Sequence, residues 1–389
     1  MKIVNYIKGD KVIWMVIVIL AVVSLLAVYS SSQSLAFSSA NSTLYYLIKQ
    51  VVILILGLSA ILVTHMVPYQ YYSKLSQIFL YVVVALLVIT LIAGKDINSA
   101  RRWLSIPGTG FTVQPSDFAK IIVIMYIARV LSLKQDDLNN YKETYLPLLL
   151  KVSLVSLLIL ISNFSTAAIL LGTSMILMFI GRIPIKYLLL TLVGAVLVFF
   201  LLIQTMNLLN IGGRQGTWSN RIENFRNKDN ESVNNYQINR AKVAIVNGGL
   251  IGKGPGNSLQ KEKLPQANSD FIYAIIIEEY GLLGGVFVLV LYLWILFRAA
   301  LMARKSVRTF PALVAVGLSL LIVFQAFVNM AVAVNLVPVT GQPLPYISSG
   351  GSSVVFTSIA LGVILSASWG IEEDRKKLVD TGEEAENEE

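Results

Sequence analysis

The residues of this 389-residue sequence that could do chemistry are mainly carboxylates. There is no Cys and one His, His65, which excludes thiolate nucleophiles and His/Cys metal sites. Residues 372–389 hold nine of the 22 acidic residues. Four of the others lie in or at the mouth of long apolar runs: Asp117, Asp270, Glu278 and Glu279. Ionisable residues in such positions are functional candidates by default.

Asp270 begins an apolar run directly after a polar, Gly-rich stretch that contains Lys253, Lys261 and Lys263. An Asp at this position can be the N-cap of a helix. It can also accept a proton from a substrate hydroxyl as a general base. The spacing leaves both interpretations open, while the neighbouring lysines favour an anionic substrate.

Asp117 and Lys120 are three residues apart at the start of another apolar run, where they can pair on one helix face. The pair is either structural, or Lys120 holds an anion that Asp117 positions. Glu278 and Glu279 are interpreted as structural partners of Lys or Arg. Lys49, near the start of the second apolar run, which is its predicted outer end, either snorkels to the membrane surface or binds a phosphate.

The elements that must position these residues are membrane helices. The chain is 56% hydrophobic and 14% charged, with a mean hydropathy of +0.71, which excludes an ordinary soluble enzyme. Apolar runs long enough to cross a bilayer as helices predict an all-α polytopic membrane protein with about ten transmembrane helices. The predicted spans are 12–30, 46–66, 75–94, 117–133, 145–163, 166–181, 184–207, 270–297, 310–337 and 352–371.

The domain prediction is a membrane domain over 1–371, followed by a disordered, acidic cytoplasmic tail over 372–389. One long loop, 208–269, lies between helices 7 and 8. The distribution of Lys and Arg predicts that both termini are cytoplasmic and that this loop is extracytoplasmic. The loop 95–116 also carries positive charge on the outer side, at Lys95, Arg101 and Arg102, which suggests that it holds an anion.

The uncharged segment 335–353 is rich in Pro, Gly and Ser. Between two apolar spans it is either a tight connection or a preformed turn that lines a cavity. In the second case its backbone N–H groups and hydroxyls, including that of Ser352, could hydrogen-bond a sugar or a pyrophosphate.

Three ordered motifs resemble those of the SEDS family, which includes FtsW, RodA and SpoVE. They are Arg101-Arg102-Trp103 leading to Gln114-Pro115-Ser116-Asp117 and Lys120, Ser269-Asp270-Phe271 followed by Glu278-Glu279-Tyr280-Gly281, and Asn329 with Pro338–Pro345 and Gly350-Gly351-Ser352-Ser353. The resemblance covers the chain except its tail, and the Arg-Arg-Trp and Asn-Leu-Val-Pro-Val-Thr-Gly-Gln stretches are closer to FtsW-type sequences.

The resemblance implies a peptidoglycan glycosyltransferase of the bacterial plasma (inner) membrane that polymerises lipid II during cell division. Asp270 matches the essential Asp of the family, and Trp103, Asp117 and Lys120 match residues of its central cavity. The family usually has Glu at the position of Asp117. The implied partners are an FtsI-like class B penicillin-binding protein and other divisome proteins, with no nucleic acid.

The expected reaction uses Asp270 to take the proton of the acceptor GlcNAc 4-hydroxyl, with undecaprenyl pyrophosphate as the leaving group. The candidate substrate-binding residues are Trp103, Asp117, Lys120, Arg102, Lys49, Lys263 and Ser352. A divalent cation, Mg²⁺ or Mn²⁺, is an optional cofactor. The alternatives are a lipid II flippase, a RodA-like elongation polymerase, or a scaffold that only docks division proteins.

Overall fold

The computed structural model describes residues 8–32, 43–96, 101–105, 112–208, 233–264 and 266–387. Eleven α-helices and a short π-helical turn, Tyr141–Tyr145, lie within these ranges. The helices are α1 (Lys11–Ser31), α2 (Thr43–Met66), α3 (Tyr69–Ala93), α4 (Pro115–Leu133), α5 (Leu146–Ser162), α6 (Phe164–Ile180), α7 (Ile185–Leu208), α8 (Val233–Gly248), α9 (Ile272–Lys305), α10 (Thr309–Ala333) and α11 (Gly351–Asn387).

The helices confirm an all-α polytopic membrane protein. Within the described residues, seven segments are long and apolar enough to cross a membrane, namely α1, α2, α3, Tyr141–Ser162, α9, α10 and Gly351–Asp380 of α11. α6 and Ile185–Val198 of α7 are shorter apolar helices. Each of the ten predicted spans coincides with a helix of the structure, while the count of ten membrane crossings stays a prediction.

The centre of the bundle is formed by α10 and α11. In the most apolar stretches of these two helices 78% and 72% of the residues are buried, whereas in those of the other five candidate spans 28–39% are buried. α4 packs against α3 and α10, and α11 packs against α2 and α10. The peripheral helices therefore expose apolar faces, as expected of surfaces that contact lipid.

Local sequence explains several helix ends. Asp10 caps α1 by accepting hydrogen bonds from the backbone nitrogens of Val12 and Ile13, at 2.9 and 3.1 Å. α5 ends at Ser162, and the next residue, Asn163, has an extended backbone. The side chain of Asn163 then caps the start of α6, because its Oδ1 accepts a hydrogen bond from the Thr166 nitrogen at 3.3 Å. One residue therefore separates the two helices, whereas the predicted spans 145–163 and 166–181 left two residues between them.

A three-stranded antiparallel sheet precedes α4 and was not predicted. Its strands are β1 (Lys95–Asp96), β2 (Arg101–Ser105) and β3 (Thr112–Val113), in the order β1-β2-β3. β2 is the central strand, because Trp103 pairs with Lys95 and Leu104 pairs with Val113. The sheet therefore gives Arg102 and Trp103 a defined position just before the start of α4.

α9 is broken at Gly281, which has φ 71° and ψ −176°. The break is closed by the segment 249–254, which we call the clasp. Its nitrogens at Lys253 and Gly254 donate to the carbonyls of Glu278 and Glu279, and its carbonyls at Gly249 and Leu250 accept from Leu282 and Leu283. Only glycine fits at position 281, because a Cβ there would overlap the Leu250 carbonyl oxygen.

The predicted loop 208–269 is described in part, since residues 209–232 and 265 lie outside the described ranges. The described part contains α8, which packs on α9, and a series of turns that leads to Asp270. At the end of the chain, α11 continues as a helix to Asn387, while the disordered cytoplasmic tail expected over 372–389 stays a prediction. Asp374 joins this extension to the rest of the bundle through Tyr69 (2.6 Å) and Arg308 (3.4 Å).

Candidate functional site

Asp270 lies in the turn that leads into α9 and is half-buried. The N-cap position of α9 is occupied by Phe271 rather than by Asp270. Ser269 Oγ donates to the Asp270 carboxylate at 2.9 Å, and Asn329 Nδ2 donates to the Asp270 main-chain oxygen at 2.9 Å. Both the carboxylate and the backbone of Asp270 are therefore positioned by neighbouring side chains, and capping does not account for this Asp.

The segment 334–350, between α10 and α11, is fastened directly to the Asp270 turn. Ser348 Oγ donates to the Ser269 carbonyl at 2.7 Å, and the Ser349 nitrogen donates to the Asn268 carbonyl at 2.9 Å. Gly341 approaches so closely that a Cβ there would lie 3.6 Å from Asp270 Oδ2. This segment therefore lies directly against the Asp270 turn, with Gly341 beside the carboxylate.

Two side-chain amides of α10 donate hydrogen bonds to the same segment, 334–350. Asn329 Nδ2 also donates to the Gln342 carbonyl at 2.8 Å, and Gln325 Nε2 donates to the next carbonyl, that of Pro343, at 3.2 Å. The motif comparison contained Asn329, but sequence reasoning missed Gln325. The available signal was a Gln inside an apolar span, where a polar side chain needs a partner.

Asp117 and Lys120 form the predicted pair, with 2.9 Å between Asp117 Oδ1 and Lys120 Nζ. The two residues are 7% and 4% exposed. Lys120 Nζ also donates to Gln325 Oε1 at 2.9 Å. Through Gln325, Pro343, Gln342 and Asn329, this pair is joined to Asp270 by hydrogen bonds and a peptide link.

A cavity of about 20 Å³ lies beside the pair. Its polar lining comes from Asp117, Lys120, Gln325, Ser353 and Thr357, and its remaining lining is largely apolar. This volume accommodates about one water molecule, so the cavity is too small for a sugar in this conformation. Ser352 faces α4 instead, because its Oγ accepts from the Gln114 nitrogen at 3.3 Å.

Arg102 is brought close to Asp270 by the sheet. Burial lowers the pKa of the Arg102 guanidinium below its usual value, and the negative charge of Asp270 opposes that shift. Nε of Arg102 is buried and has no hydrogen-bond partner within the described parts of the chain. Trp103, the next residue on β2, is half-buried. Arg102 is thus a cation near the Asp270 carboxylate, and its Nε–H has no acceptor among the described residues.

The three lysines expected to form a cluster behind Asp270 have separate environments. Lys261 is 6% exposed and its Nζ donates to the Gly256 carbonyl. Lys253 Nζ lies 3.9 Å from Glu278 Oε1, and only Lys263 is exposed. Two of the three charges therefore hold the fold, which corrects the expectation of a shared anion-binding cluster. Lys49 is exposed on α2, and no described contact links it to Asp270.

Glu278 and Glu279 are buried, at 0% and 1% exposure. Glu278 accepts from Ser258 Oγ and from the backbone nitrogens of Leu259 and Gln260, both at 3.2 Å. With Lys253 nearby, this confirms its structural role. Glu279 has a different partner, since Ser30 Oγ of α1 donates to its carboxylate.

The donor set around Asp270 does not fit a divalent cation held by the protein alone. Among the residues that the structure describes, no three His, Cys, Asp or Glu side chains come together in an arrangement that could hold a metal ion. Asp270 is accompanied instead by amides, hydroxyls and the guanidinium of Arg102. The chemistry considered below is therefore that of a base next to a cation.

Comparisons with known proteins identify the family of the chain. Residues 10–372 match the family described as "Cell cycle protein", which groups FtsW, RodA and SpoVE. The chain is 31% identical to the "Probable peptidoglycan glycosyltransferase FtsW" of Trichlorobacter lovleyi, over 93% of both chains. It is 29% identical to "Stage V sporulation protein E" of Bacillus subtilis, over 92% of this chain and 96% of the relative.

Among solved structures, the fold is similar to a chain from a study of "Structural coordination of polymerization and crosslinking by a peptidoglycan synthase complex". The TM-score is 0.72, with 23% identity over 92% of this chain and 97% of that chain. At this identity the likeness establishes the fold alone.

Proposed function

Because the chain belongs to the FtsW, RodA and SpoVE family of cell cycle proteins, we propose that it is a peptidoglycan glycosyltransferase that polymerises lipid II during cell division. The observation that carries the proposal is the fixed position of Asp270, which is half-buried, fastened to the segment 334–350 and accompanied by Arg102. Such an arrangement suits a base that works beside an anionic leaving group.

In the proposed reaction, Asp270 accepts the proton of the 4-hydroxyl of the acceptor GlcNAc. The freed oxygen forms a bond to C1 of the donor MurNAc with inversion, while the bond from C1 to the pyrophosphate oxygen breaks. Undecaprenyl pyrophosphate leaves with its electron pair as an anion that needs little protonation. A single positioned carboxylate is therefore sufficient, unlike the pair that a glycosidase needs.

Arg102 is the first candidate for holding the departing pyrophosphate, because its guanidinium is a cation that interacts electrostatically with Asp270. Lys120 already donates to Asp117 and Gln325, so we assign it and Asp117 to shaping the cavity. The exposed Lys263 and Lys49 are assigned to longer-range attraction of the anionic substrate, and Trp103 to contact with a sugar face. No step requires a metal ion.

The test is polymerisation of labelled lipid II by purified Asp270→Asn protein, with the products separated on a gel. We expect the rate to fall by roughly 10²–10⁴, the usual contribution of a positioned general base. Glu262→Gln is the matched control, because Glu262 is an exposed carboxylate in the same segment. A near wild-type rate for Asp270→Asn would refute the assignment of the base.

A lipid II flippase is the principal alternative, and the same protein in vesicles distinguishes it. Translocation of lipid II without formation of polymer would replace the enzymatic proposal with the transport one. Polymer formed on one face only, and lost in Asp270→Asn, would support the polymerase.

The proposed setting is the bacterial plasma membrane, with both termini in the cytoplasm and a class B penicillin-binding protein as partner. The charges at the Asp10 end of the bundle support this orientation, since Arg298, Arg304, Lys305 and Arg308 lie at that end of α9 and α10. Polymerisation assays with and without the cognate penicillin-binding protein test the partnership.

A further inference from the structure

The most exposed large apolar side chains in the described part of the chain lie outside the predicted membrane spans. They are Ile251 and Val246, at 81% and 79% exposure, and Leu250, between them in sequence, is 68% exposed. We call these three residues the apolar tip. Val246 and Leu250 are four residues apart, at the end of α8 and in the turn that follows it. In water such a group of side chains would be unfavourable.

The apolar tip is joined to the membrane-facing surface of α9. The Leu283 nitrogen donates to the Leu250 carbonyl at 3.3 Å, and the Leu282 nitrogen donates to the Gly249 carbonyl at 2.9 Å. Leu282 and Leu283 are 48% and 66% exposed, and exposed apolar side chains continue down α9 from them. The tip therefore continues the exposed apolar surface of α9, a helix long and apolar enough to cross a membrane.

The depth of the tip can be worked out along α9. Arg298 pairs with Asp10 at the opposite end of the bundle, with Arg298 Nε 3.0 Å from Asp10 Oδ2. Leu283 lies 15 residues before Arg298 in the unbroken part of the helix, which is about 22 Å at 1.5 Å per residue. The hydrocarbon core of a bilayer is about 30 Å thick, so the level of Leu283 and Leu250 falls within its far leaflet.

The charges around the tip fit the same depth. Arg240 and Lys242 precede Val246 on α8. Basic residues beside an exposed apolar group are typical of segments that lie in the interface of anionic membranes. Ile238, Ala241 and Ala244 are buried, on the side of α8 that packs on α9.

From these observations we infer that the apolar tip inserts into the acyl chains of the membrane leaflet on the Asp270 side. Its occupant is lipid, since the tip lies at the depth of the bilayer and is continuous with the lipid-facing surface of α9. The clasp between 249 and 254 is then held from two sides, by the backbone of α9 and by the membrane. This inference does not depend on the reaction proposed for Asp270.

The chain contains no cysteine, so single cysteines can be labelled selectively. We would introduce Ile251→Cys, Val246→Cys and, as a matched exposed control in the same segment, Glu262→Cys, and attach the environment-sensitive fluorophore NBD. The full-length proteins would be reconstituted in vesicles of phosphatidylethanolamine with a minority of phosphatidylglycerol, with or without bromine on the acyl chains.

At positions 251 and 246 we expect blue-shifted emission, several-fold stronger quenching by brominated acyl chains than at 262, and weak quenching by aqueous iodide. Labels at both tip positions that are quenched by iodide as strongly as the label at 262 would overturn the inference. So would a blue shift that arises only when the partner transpeptidase is added, because protein rather than lipid would then cover the tip. The labels report position directly, so loss of polymerase activity would leave the result unaffected.

Discussion

Replacing Glu278 with Ala should open the segment that its carboxylate holds. In the structure this carboxylate, at 0% exposure, accepts from Ser258 Oγ and from the nitrogens of Leu259 and Gln260, with Lys253 at 3.9 Å. The variant would leave these donors without their shared acceptor in a site that excludes water. The segment 253–260 should therefore exchange its amide hydrogens faster than in the wild type.

The size of the effect follows from the hydrogen bonds to the Glu278 carboxylate, which include a fourth, longer one from Asn247 Nδ2 at 3.4 Å. A hydrogen bond to a charged group contributes about 1.5–3 kcal/mol, and bonds to one shared group are not additive. We therefore expect local opening to become easier by about 3–5 kcal/mol, since part of the loss is recovered when the donors reach water. At 1.4 kcal/mol per factor of ten, exchange at Leu259 and Gln260 should be faster by a factor of about 10² to 4 × 10³.

The assay is hydrogen exchange followed by mass spectrometry on the protein in detergent or nanodiscs. Glu279→Ala is the matched control, because Glu279 is equally buried on the same helix but binds Ser30 of α1. Unchanged protection of the peptide 253–260 in Glu278→Ala would refute the reasoning. Equal loss of protection of that peptide in Glu279→Ala would refute it too, since the effect would then come from general loosening of α9.

Two further variants test the interior of the bundle. Lys120→Ala should destabilise the protein by about 3–5 kcal/mol, because it leaves the buried Asp117 charge without its partner; thermal unfolding in detergent should show this, and adding Asp117→Asn should restore part of the loss. Gly281→Ala should lower the unfolding temperature, because a Cβ would overlap the Leu250 carbonyl and φ is 71°. Gly172→Ala, where no atom lies within 4 Å of the added Cβ, should be close to neutral, and equal effects of the two glycine variants would contradict this account.

The helical architecture was predictable because spanning a bilayer imposes length and apolarity on each helix. Each apolar run therefore matched a helix of the structure, although α3 begins six residues earlier, α9 ends eight residues later and α11 ends sixteen residues later than its predicted span. The break in α9 was not predictable, because Gly281 stands among residues that can all be helical, and the clasp that closes the break comes from distant sequence. The sheet of 95–113 was missed because two of its strands have only two residues.

Asp270 and the pair of Asp117 and Lys120 emerged from the sequence because charges are costly near a membrane and few positions carry them. Their mutual arrangement did not, since it depends on a segment far along the chain. Lys261 shows the limit most clearly. In the sequence it is one of three similar lysines near Asp270, but its ammonium turns inward to the Gly256 carbonyl, which only tertiary contacts decide.

The two amides of α10 give the loop before α11 a fixed register. Asn329 and Gln325 are one helical turn apart and grip consecutive peptide carbonyls, those of Gln342 and Pro343. Adding or removing one residue between α10 and these carbonyls would shift both carbonyls away from the amides that donate to them. Homologous loops that preserve the two amides should therefore tolerate changes of side chain far better than changes of length at this point.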